Sequence, residues 1–302
     1  MTQRKLLPYA FLAPAMLAML VLVFYPLLYG ILFSFTDATS KNIAKHIGTN
    51  FIPASYSFIG LTNFINILTG ATGTFWSVFQ QTVIWTVVNV ILHVSLGLLL
   101  GVLVNRKIPG RTLYRVLLIV PWAVPSFVSA FAWRYIFNQQ FGFVNLLLGK
   151  LGAAPVGWLS TQFLATAVAV IANTWLAIPF NMVAILGGLQ GIPTDLYEAA
   201  NVDGASAWQS FLQITLPLLR PVLTTIILLG TIWTFNSFNI IFLLTAGEPA
   251  GKTEILATYA YRLAFENYNF GVSAAYSVII LVILLIFSAL YVRVINRGAQ
   301  MA

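Results

Sequence analysis

His93 is the side chain best suited to move protons inside an apolar stretch of this sequence. Asn89 precedes it by four residues, so a helix places both side chains on one face. A proton relay would use such a pair, but a hydrogen bond to a neighbouring helix is the commoner use of buried Asn and His. Both interpretations stay open, and we favour the structural one.

A second pattern lies between residues 246 and 253, where Ala246, Gly251, Lys252 and Thr253 fit a loosened phosphate-binding loop. Such a loop needs a buried strand before it and a helix whose amides face the phosphates after it. Here the stretch joins two long apolar runs. We therefore expect no nucleotide at this place.

The sequence shows no pattern typical of an enzyme active site or a metal site within its apolar runs. Cysteine is absent, and the long apolar runs contain no Asp or Glu. Paired carboxylates, a metal-ligand set and a nucleophile–base set are not evident within those runs. We expect no catalytic residue, no metal site and no cofactor bound by this chain.

The composition indicates a membrane protein, whose spanning helices must position the polar residues named above. Hydrophobic residues make up 60% of the chain and charged residues 7%, against roughly 25% charged in soluble domains. A bilayer core needs about 20 apolar residues in a helix, and six stretches qualify. They are Tyr9 to Phe35, Val78 to Val104, Leu113 to Phe137, Phe163 to Leu186, Leu218 to Leu244 and Phe270 to Ile295.

These runs predict an all-α integral membrane protein with six transmembrane helices in a single domain, residues 1–302. The first run could instead be a signal peptide, but its apolar part is too long and no small-residue cleavage site follows it. We expect it to span the membrane.

Basic residues predict the orientation of the spans. The net charge of +8 comes from residues at the ends of the apolar runs, not from one patch, so no nucleic-acid partner is expected. One side holds the larger set, which places both termini in the cytoplasm. That set is Arg4, Lys5, Arg106, Lys107, Arg111, Arg115, Arg220, Arg293 and Arg297, against Lys41, Lys45, Arg134, Lys150, Lys252 and Arg262.

The predicted cytoplasmic connection of about residues 191–217 carries two helix-start signals. Asp195 with Glu198, and Ser206 with Gln209, each have the spacing of a capping box. Asp203 and Gly204 should end the first helix, and Pro217 the second. We call this predicted helix–turn–helix, residues 191–217, the elbow.

The elbow should expose Leu196, Tyr197, Ala199 and Ala200, whose small members allow close approach by another protein. A segment lying on lipid headgroups is the alternative. Its three acidic residues and one nearby arginine, Arg220, suit an anionic leaflet poorly. We favour docking of a protein.

The elbow resembles the EAA loop of the membrane subunits of binding-protein-dependent ATP-binding-cassette importers. The resemblance implies that its first helix docks into a separate ATPase and couples that subunit's closure to the spans. The residues assigned to coupling are Glu198, Ala199, Ala200, Asp203, Gly204, Ile214, Leu216 and Pro217.

Three further stretches, residues 114–125, 137–148 and 253–265, resemble the maltose/maltodextrin permeases of that class. The resemblance implies a sugar site near mid-membrane on the fourth and fifth spans. Its residues are Asn173, Leu176, Ala177, Phe180, Trp233, Thr234, Ser237 and Asn239. Ala177 replaces a glycine of the similar motif, Thr234 and Ser237 replace amides, and the first external loop, residues 36–75, lacks a large folded insertion found in some members.

The residue types at these positions agree with a sugar site, because uncharged polar groups and aromatic faces hold sugars. Pro179 also frees a backbone carbonyl that could line a polar path. Without the resemblance, however, Asn173, Asn236 and Asn239 could equally bridge helices.

We therefore expect the permease subunit of an ATP-driven importer of maltose, maltodextrin or related oligosaccharides in a prokaryotic inner membrane. The resemblance implies a second homologous permease, two ATPase subunits that bind and hydrolyse ATP with Mg²⁺, and an extracytoplasmic sugar-binding protein. An ion-coupled secondary sugar carrier with His93 as its proton site is the main alternative. A membrane-embedded enzyme is less favoured.

Overall fold

A computed structural model describes residues 2–71, 73–106 and 109–300, with side chains for residues 11–46, 48–71, 73–106 and 109–295. Of the basic residues used for orientation, Lys107 lies outside the described residues, and the side chains of Arg4, Lys5 and Arg297 lie outside the described side chains. The described residues are mainly helical, which confirms the fold class.

The helices are numbered in chain order. They are α1 Thr2–Met19, α2 Tyr25–Phe33, α3 Thr62–Leu68, α4 Phe75–Asn105, α5 Arg111–Ala123, α6 Ser126–Ile136, α7 Phe143–Lys150, α8 Gln162–Gln190, α9 Thr194–Val202, α10 Ala207–Ser210, α11 Leu216–Leu218, α12 Arg220–Phe235, α13 Phe238–Ile240, α14 Leu256–Phe265 and α15 Phe270–Gln300. Single π-helical turns occupy Leu20–Phe24, Phe211–Thr215 and Ile241–Thr245. Strands β1 Lys45–Ile47 and β2 Asn50–Ile52 form an antiparallel hairpin in which His46 pairs with Phe51.

Four stretches of the described chain are long and apolar enough to cross a bilayer: Phe11–Phe33, Phe75–Asn105, Gln162–Gln190 and Phe270–Ile295. Two bent helix pairs raise the number to six if each pair is one span. The fourth predicted span, Phe163 to Leu186, lies within the stretch Gln162–Gln190, which ends directly before the elbow.

The third predicted span is not one straight helix. Between α5 and α6 the chain bends by 95° at Val124 and Pro125. A residue before proline is driven out of the helical conformation, and Val124 is extended, with φ −80° and ψ 125°. The predicted stretch from Leu113 to Phe137 is thus a bent pair of helices, which counts as one span if the pair crosses the membrane together.

The fifth predicted span is also interrupted. The segment Ala207–Leu218 meets α12 at an angle of 64°, and α12 ends at Phe235 instead of continuing to Leu244. At that end Asn236 Nδ2 donates to the Ile232 carbonyl at 3.1 Å, which satisfies a helix-terminal acceptor. Ser237, with ψ 82°, leaves the helical conformation.

Backbone contacts divide the chain into two compact units, Met1–Trp76 with Tyr259–Leu285, and Ser77–Thr258 with Ile286–Ala302. In the first unit Asn63 Nδ2 donates to the carbonyls of Ser34 and Thr36, each at 2.9 Å, and so fixes the chain after α2. The prediction of one domain, residues 1–302, stays a prediction.

The second unit holds most of the buried side chains considered below. Its helices α4 and α8 approach closely at Gly97 and Gly101, because a Cβ at Gly97 would lie 2.6 Å from the Cβ of Asn181. Small residues four apart allow such close helix packing in membranes. A second contact forms where α8 meets the start of α12, and there Ile185, Leu189, Ile192, Leu219 and Ile226 form a buried group that we call the junction cluster.

Two adjacent glycines of α8 provide a test of the packing at the junction cluster. A Cβ at Gly188 would lie 2.8 Å from Leu219 and 2.9 Å from Val222, whereas one at Gly187 would meet nothing within 4 Å. We expect Gly188→Val to destabilise the purified chain in detergent by about 1–3 kcal/mol through overpacking. The matched change Gly187→Val alters the helix propensity by the same amount, because it also replaces a glycine of α8 by valine. It should change the melting temperature much less. Equal melting temperatures of the two variants would contradict this packing.

Candidate functional site

A cavity of about 300 Å³ lies within the second unit. Helix α8 contributes positions spaced by three and four residues, which share one helix face, and α12 does the same. Ser237, two residues after the end of α12, adds to the lining. The lining residues are His93, Trp122, Asn173, Leu176, Ala177, Phe180, Asn181, Ile226, Gly230, Trp233, Thr234 and Ser237.

Asn173 is at the centre of a polar network beside this cavity. Its Nδ2 donates to Asn89 Oδ1 at 2.9 Å and lies 3.4 Å from His93 Nε2. Its Oδ1 accepts from Ser237 Oγ at 3.4 Å. These bonds connect α4, α8 and the break after α12 through uncharged groups. The contact between Asn173 and His93 agrees with the interhelical hydrogen bond favoured from the sequence.

Trp85 secures this network from the side of α4. Its indole Nε1 donates to the Thr234 carbonyl at 2.9 Å, and its own carbonyl accepts from Asn89 Nδ2 at 2.8 Å. Both Trp85 and Asn89 are fully buried. Buried polar groups without partners are costly, so this arrangement holds α4 to the end of α12 as well as to α8.

Aromatic rings form another part of the cavity wall. The ring of Phe180 lies 5.3 Å from that of Trp233 at 66°, and 6.3 Å from that of Trp122 at 53°. Trp122 comes from α5, close to the bend at Val124. The cavity therefore combines hydrogen-bonding groups with apolar ring faces, a combination that suits a ligand with polar edges and an apolar face.

The structure brings together seven of the eight residues predicted to bind substrate: Asn173, Leu176, Ala177, Phe180, Trp233, Thr234 and Ser237. It places Asn239 apart from the cavity lining, where its Nδ2 donates to Ser126 Oγ at 2.8 Å. For Asn239 the geometry shows the helix-bridging arrangement that the sequence left open.

Sequence reasoning missed His93, Trp122, Asn181, Ile226 and Gly230 as cavity residues. Extending the helical period along α8 and α12 would have found Asn181, Ile226 and Gly230. For Trp122, the signal was its place between Pro121 and Pro125, which marks a bend.

The elbow forms the predicted helix–turn–helix, with one correction at its start. Helix α9 begins at Thr194 with Pro193 at the cap position, and no side chain caps it. Asp195 is in the first turn, where a carboxylate still favours the helix dipole, so the predicted capping role of Asp195 was wrong. Its end is as predicted, because the helix stops at Val202, Asp203 is the C-cap residue and Gly204 has φ +77°.

The second helix of the elbow has the predicted capping box. Ser206 N donates to Gln209 Oε1 at 2.7 Å, and Gln209 N donates to Ser206 Oγ at 3.3 Å. The helical segment runs to Leu218, one residue past Pro217, and includes Ile214 and Leu216. Leu196, Glu198 and Ala199 are exposed on α9, whereas Tyr197 and Ala200 are half-buried, in contrast to the expected exposure of all four apolar side chains.

Tyr197 points into the elbow. Its hydroxyl lies 2.8 Å from Thr215 Oγ1, which joins the two helices across the Gly204 turn. Tyr197 and Ile214 also pack against the junction cluster, together with Phe180 of the cavity wall. Ile226 belongs both to this cluster and to the cavity lining. Elbow and cavity are therefore connected by one continuous group of packed side chains.

Comparison with known proteins identifies the family. Residues 93–298 match the family described as binding-protein-dependent transport system inner membrane component. The chain belongs to this family. The matched range contains the elbow, the junction cluster and every residue that lines the cavity.

Two curated relatives support the assignment to this permease family. The chain is 37% identical over 255 residues to the trehalose/maltose transport system permease protein MalF of Thermococcus litoralis, covering 83% of this chain and 84% of that protein. It is 35% identical over 301 residues to the diacetylchitobiose uptake system permease protein DasB of Streptomyces coelicolor, covering 98% of this chain and 88% of that protein.

A solved structure shares the fold of this permease. A bacterial ABC transporter involved in the import of the acidic polysaccharide alginate contains a chain that superposes with a TM-score of 0.83. The match covers 98% of this chain and 96% of that chain at 20% identity.

The stretch that fits a loosened phosphate loop forms a turn region in this permease. The helix that follows it begins only at Leu256, after Lys252 and Thr253. Thr253 Oγ1 is buried and lies 2.9 Å from both Thr245 Oγ1 and the Glu248 carbonyl. The hydroxyl that a phosphate loop would use is thus already bonded within the protein.

The bond between Tyr197 and Thr215 predicts a measurable coupling within the elbow. In a double-mutant cycle of Tyr197→Phe and Thr215→Val, we expect an interaction free energy of about 0.5–1.5 kcal/mol in the stability of the purified permease. Tyr135→Phe, at an exposed tyrosine of α6, serves as the control and should change little. Strictly additive effects of the two elbow changes would show that the bond does not form.

Proposed function

We propose that this permease is the membrane subunit of an ATP-driven importer for maltose, maltodextrin or related neutral oligosaccharides. The observation that supports this most is the cavity, whose lining combines the amide network around Asn173 with the rings of Trp122, Phe180 and Trp233. Sugar rings present hydroxyls at their edges and C–H groups on their faces. The amide network can therefore bond to the hydroxyls, and the aromatic rings can pack against the C–H faces.

The absence of charge along the wall favours a neutral sugar. Among the described residues that line the cavity, none is Asp, Glu, Lys or Arg. A uronic acid polymer such as alginate, or an amino acid, carries charge that would need a partner in this low-dielectric site. The names of the trehalose/maltose and diacetylchitobiose permeases agree with a neutral sugar.

The energy for import comes, in this proposal, from a separate ATPase that docks on the elbow and hydrolyses ATP with Mg²⁺. The exposed face of α9, with Glu198 and Ala199, would meet the ATPase. Movement of α9 would reach the cavity through Tyr197, the junction cluster and Ile226. The permease itself binds no nucleotide and catalyses no reaction.

The complete importer would contain a second homologous permease, two ATPase subunits and an extracytoplasmic sugar-binding protein. Trp233 lines the cavity but is 56% exposed. A large aromatic ring in a transport path needs another protein surface to cover it, so this exposure supports the second permease. In this assembly both termini and the elbow lie on the cytoplasmic side of a prokaryotic inner membrane, as the basic residues predict.

Membership in a binding-protein-dependent family argues against the alternative of an ion-coupled carrier. The position of His93 agrees, since its Nε2 faces an amide donor of Asn173 instead of a carboxylate that would stabilise a bound proton.

Transport by the reconstituted importer with a panel of labelled sugars tests the substrate class. We expect uptake of maltose or longer glucose oligosaccharides and little uptake of alginate oligomers. Gly230 lines the cavity, and a Cβ there would meet nothing within 4 Å, so Gly230→Leu should fill space and weaken uptake of the longer sugars most. Gly230→Ala is the smaller matched change and should have a smaller effect. Uptake of charged oligomers in preference to neutral ones would overturn the proposal.

The turn at Gly204 tests the coupling role of the elbow. Valine is strained by about 1–3 kcal/mol at a positive φ, whereas Asn tolerates it well. We expect Gly204→Val to lower ATP hydrolysis stimulated by the sugar-loaded binding protein severalfold, and Gly204→Asn to retain most of it. Full stimulation in the valine variant would exclude this turn from coupling.

A further inference from the structure

A chain of hydrogen bonds that begins at a backbone carbonyl indicates which nitrogen of the His93 ring carries the proton. Asn89 Nδ2 lies 2.8 Å from the Trp85 carbonyl, which can only accept. This fixes the orientation of the Asn89 amide, so that its Oδ1 is the atom that faces Asn173. An amide oxygen also only accepts.

Asn173 must therefore direct its Nδ2 toward α4. The same orientation places its Oδ1 against Ser237 Oγ, a hydroxyl that can donate. Asn173 Nδ2 carries two protons, and Asn89 Oδ1 and His93 Nε2 are its two partners, at 2.9 Å and 3.4 Å. Because Nδ2 is a donor, His93 Nε2 must accept.

A neutral histidine that accepts at Nε2 carries its proton on Nδ1. His93 is 4% exposed and lines the cavity. Within the described part of the chain, the contact with Asn173 is the hydrogen bond that its ring makes. The Nδ1–H is thus a donor on a ring that lines the cavity, and the hydrogen bonds of the described residues give it no acceptor.

We propose that His93 is a substrate-contacting specificity residue, whose Nδ1–H donates a hydrogen bond to a hydroxyl oxygen of the sugar while Nε2 holds Asn173. This rests on the proposed sugar-import function and extends it to α4, which the sequence did not assign to the site. A hydroxyl oxygen is a suitable acceptor because the surrounding wall is uncharged and a sugar brings several such oxygens into the cavity.

Two substitutions separate the roles of the two ring nitrogens. In His93→Asn, the side-chain amide nitrogen can take the place of Nδ1, and the acceptor to Asn173 is lost. In His93→Gln, the longer side chain can place its oxygen near the position of Nε2, and the donor at Nδ1 is lost. The two variants have similar size and polarity, so each serves as a control for the other.

The measurement is the KM and maximal rate of sugar uptake by the reconstituted importer. We expect His93→Gln to raise the KM about threefold to tenfold, the effect of one neutral hydrogen bond, and His93→Asn to raise it less. The opposite order would show that His93 only positions Asn173, and equal KM values to the unchanged protein would show that a water molecule serves the donor. Either result overturns the proposal.

Deoxy sugars identify the contact directly. One monodeoxy analogue of the transported sugar should lose affinity with the unchanged protein and lose no more with His93→Gln, because the bond is already absent. Equal additional losses for every analogue in the variant would contradict the contact. Recovery of each variant in complex with its ATPase monitors folding, and His93→Asn provides the second measurement if His93→Gln assembles poorly.

Failure of the underlying function would look different. If the unchanged importer transports no sugar of the panel, the proposed function fails, whatever the variants do. If it transports sugar and the Gln and Asn variants behave alike, the function stands and the assignment of His93 fails.

Discussion

The bond between Asn173 and Asn89 joins two long helices in a region where the alternative partner is lipid. An unpaired amide in such surroundings costs several kcal/mol, so each member of the network constrains the next. Trp85 connects α4 to the end of α12, Asn89 connects it to α8, and Ser237 connects the break after α12 back to α8. The position of the cavity between these helices follows from this one chain of polar contacts.

Close packing makes that chain of contacts possible. Gly97, about one helical turn after His93, lets α4 approach α8 to within contact of the Asn181 side chain. A larger residue there would separate the helices and lengthen the amide bonds. Asn89, His93 and Gly97 lie four residues apart on one face of α4, so the glycine and the polar contacts together fix the distance between the two helices.

Much of the fold could be predicted from the sequence because its strongest signals are local. Apolar length identified the membrane-crossing segments, and the pairs Ser206 with Gln209 and Asp203 with Gly204 defined the second start and the first end within the elbow. The bends were missed because apolar length does not distinguish a straight helix from two shorter ones. The evidence was in Val124 before Pro125 and in the adjacent Asn236 and Ser237, which need to be considered as backbone constraints.

The candidate site was harder to predict, because its members come together from separate helices. Residues on α8 and α12 followed from motif resemblance and share helical faces, but nothing local connects Trp122 or His93 with them. Asn239 shows the converse, since a polar residue at a plausible position bonds to Ser126 instead of facing the cavity. Which of several amides contacts a ligand depends on helix rotation, and that is set by packing throughout the unit.

The bend before α12 and the break after it both affect how a movement of the elbow can reach the cavity. A continuous helix from the elbow would transmit a displacement along its whole length, but the chain bends by 64° at Leu219 and is interrupted again at Ser237. Leu219 lies in the junction cluster with Ile192 and Ile226, so the bend itself is packed against α8. In the proposed importer, a push of the ATPase on α9 would rotate α12 about this packed point. Because Ile226, Gly230 and Trp233 lie along α12 beyond that point, such a rotation would change the shape of the cavity while the Asn173 network holds α4 and α8 together.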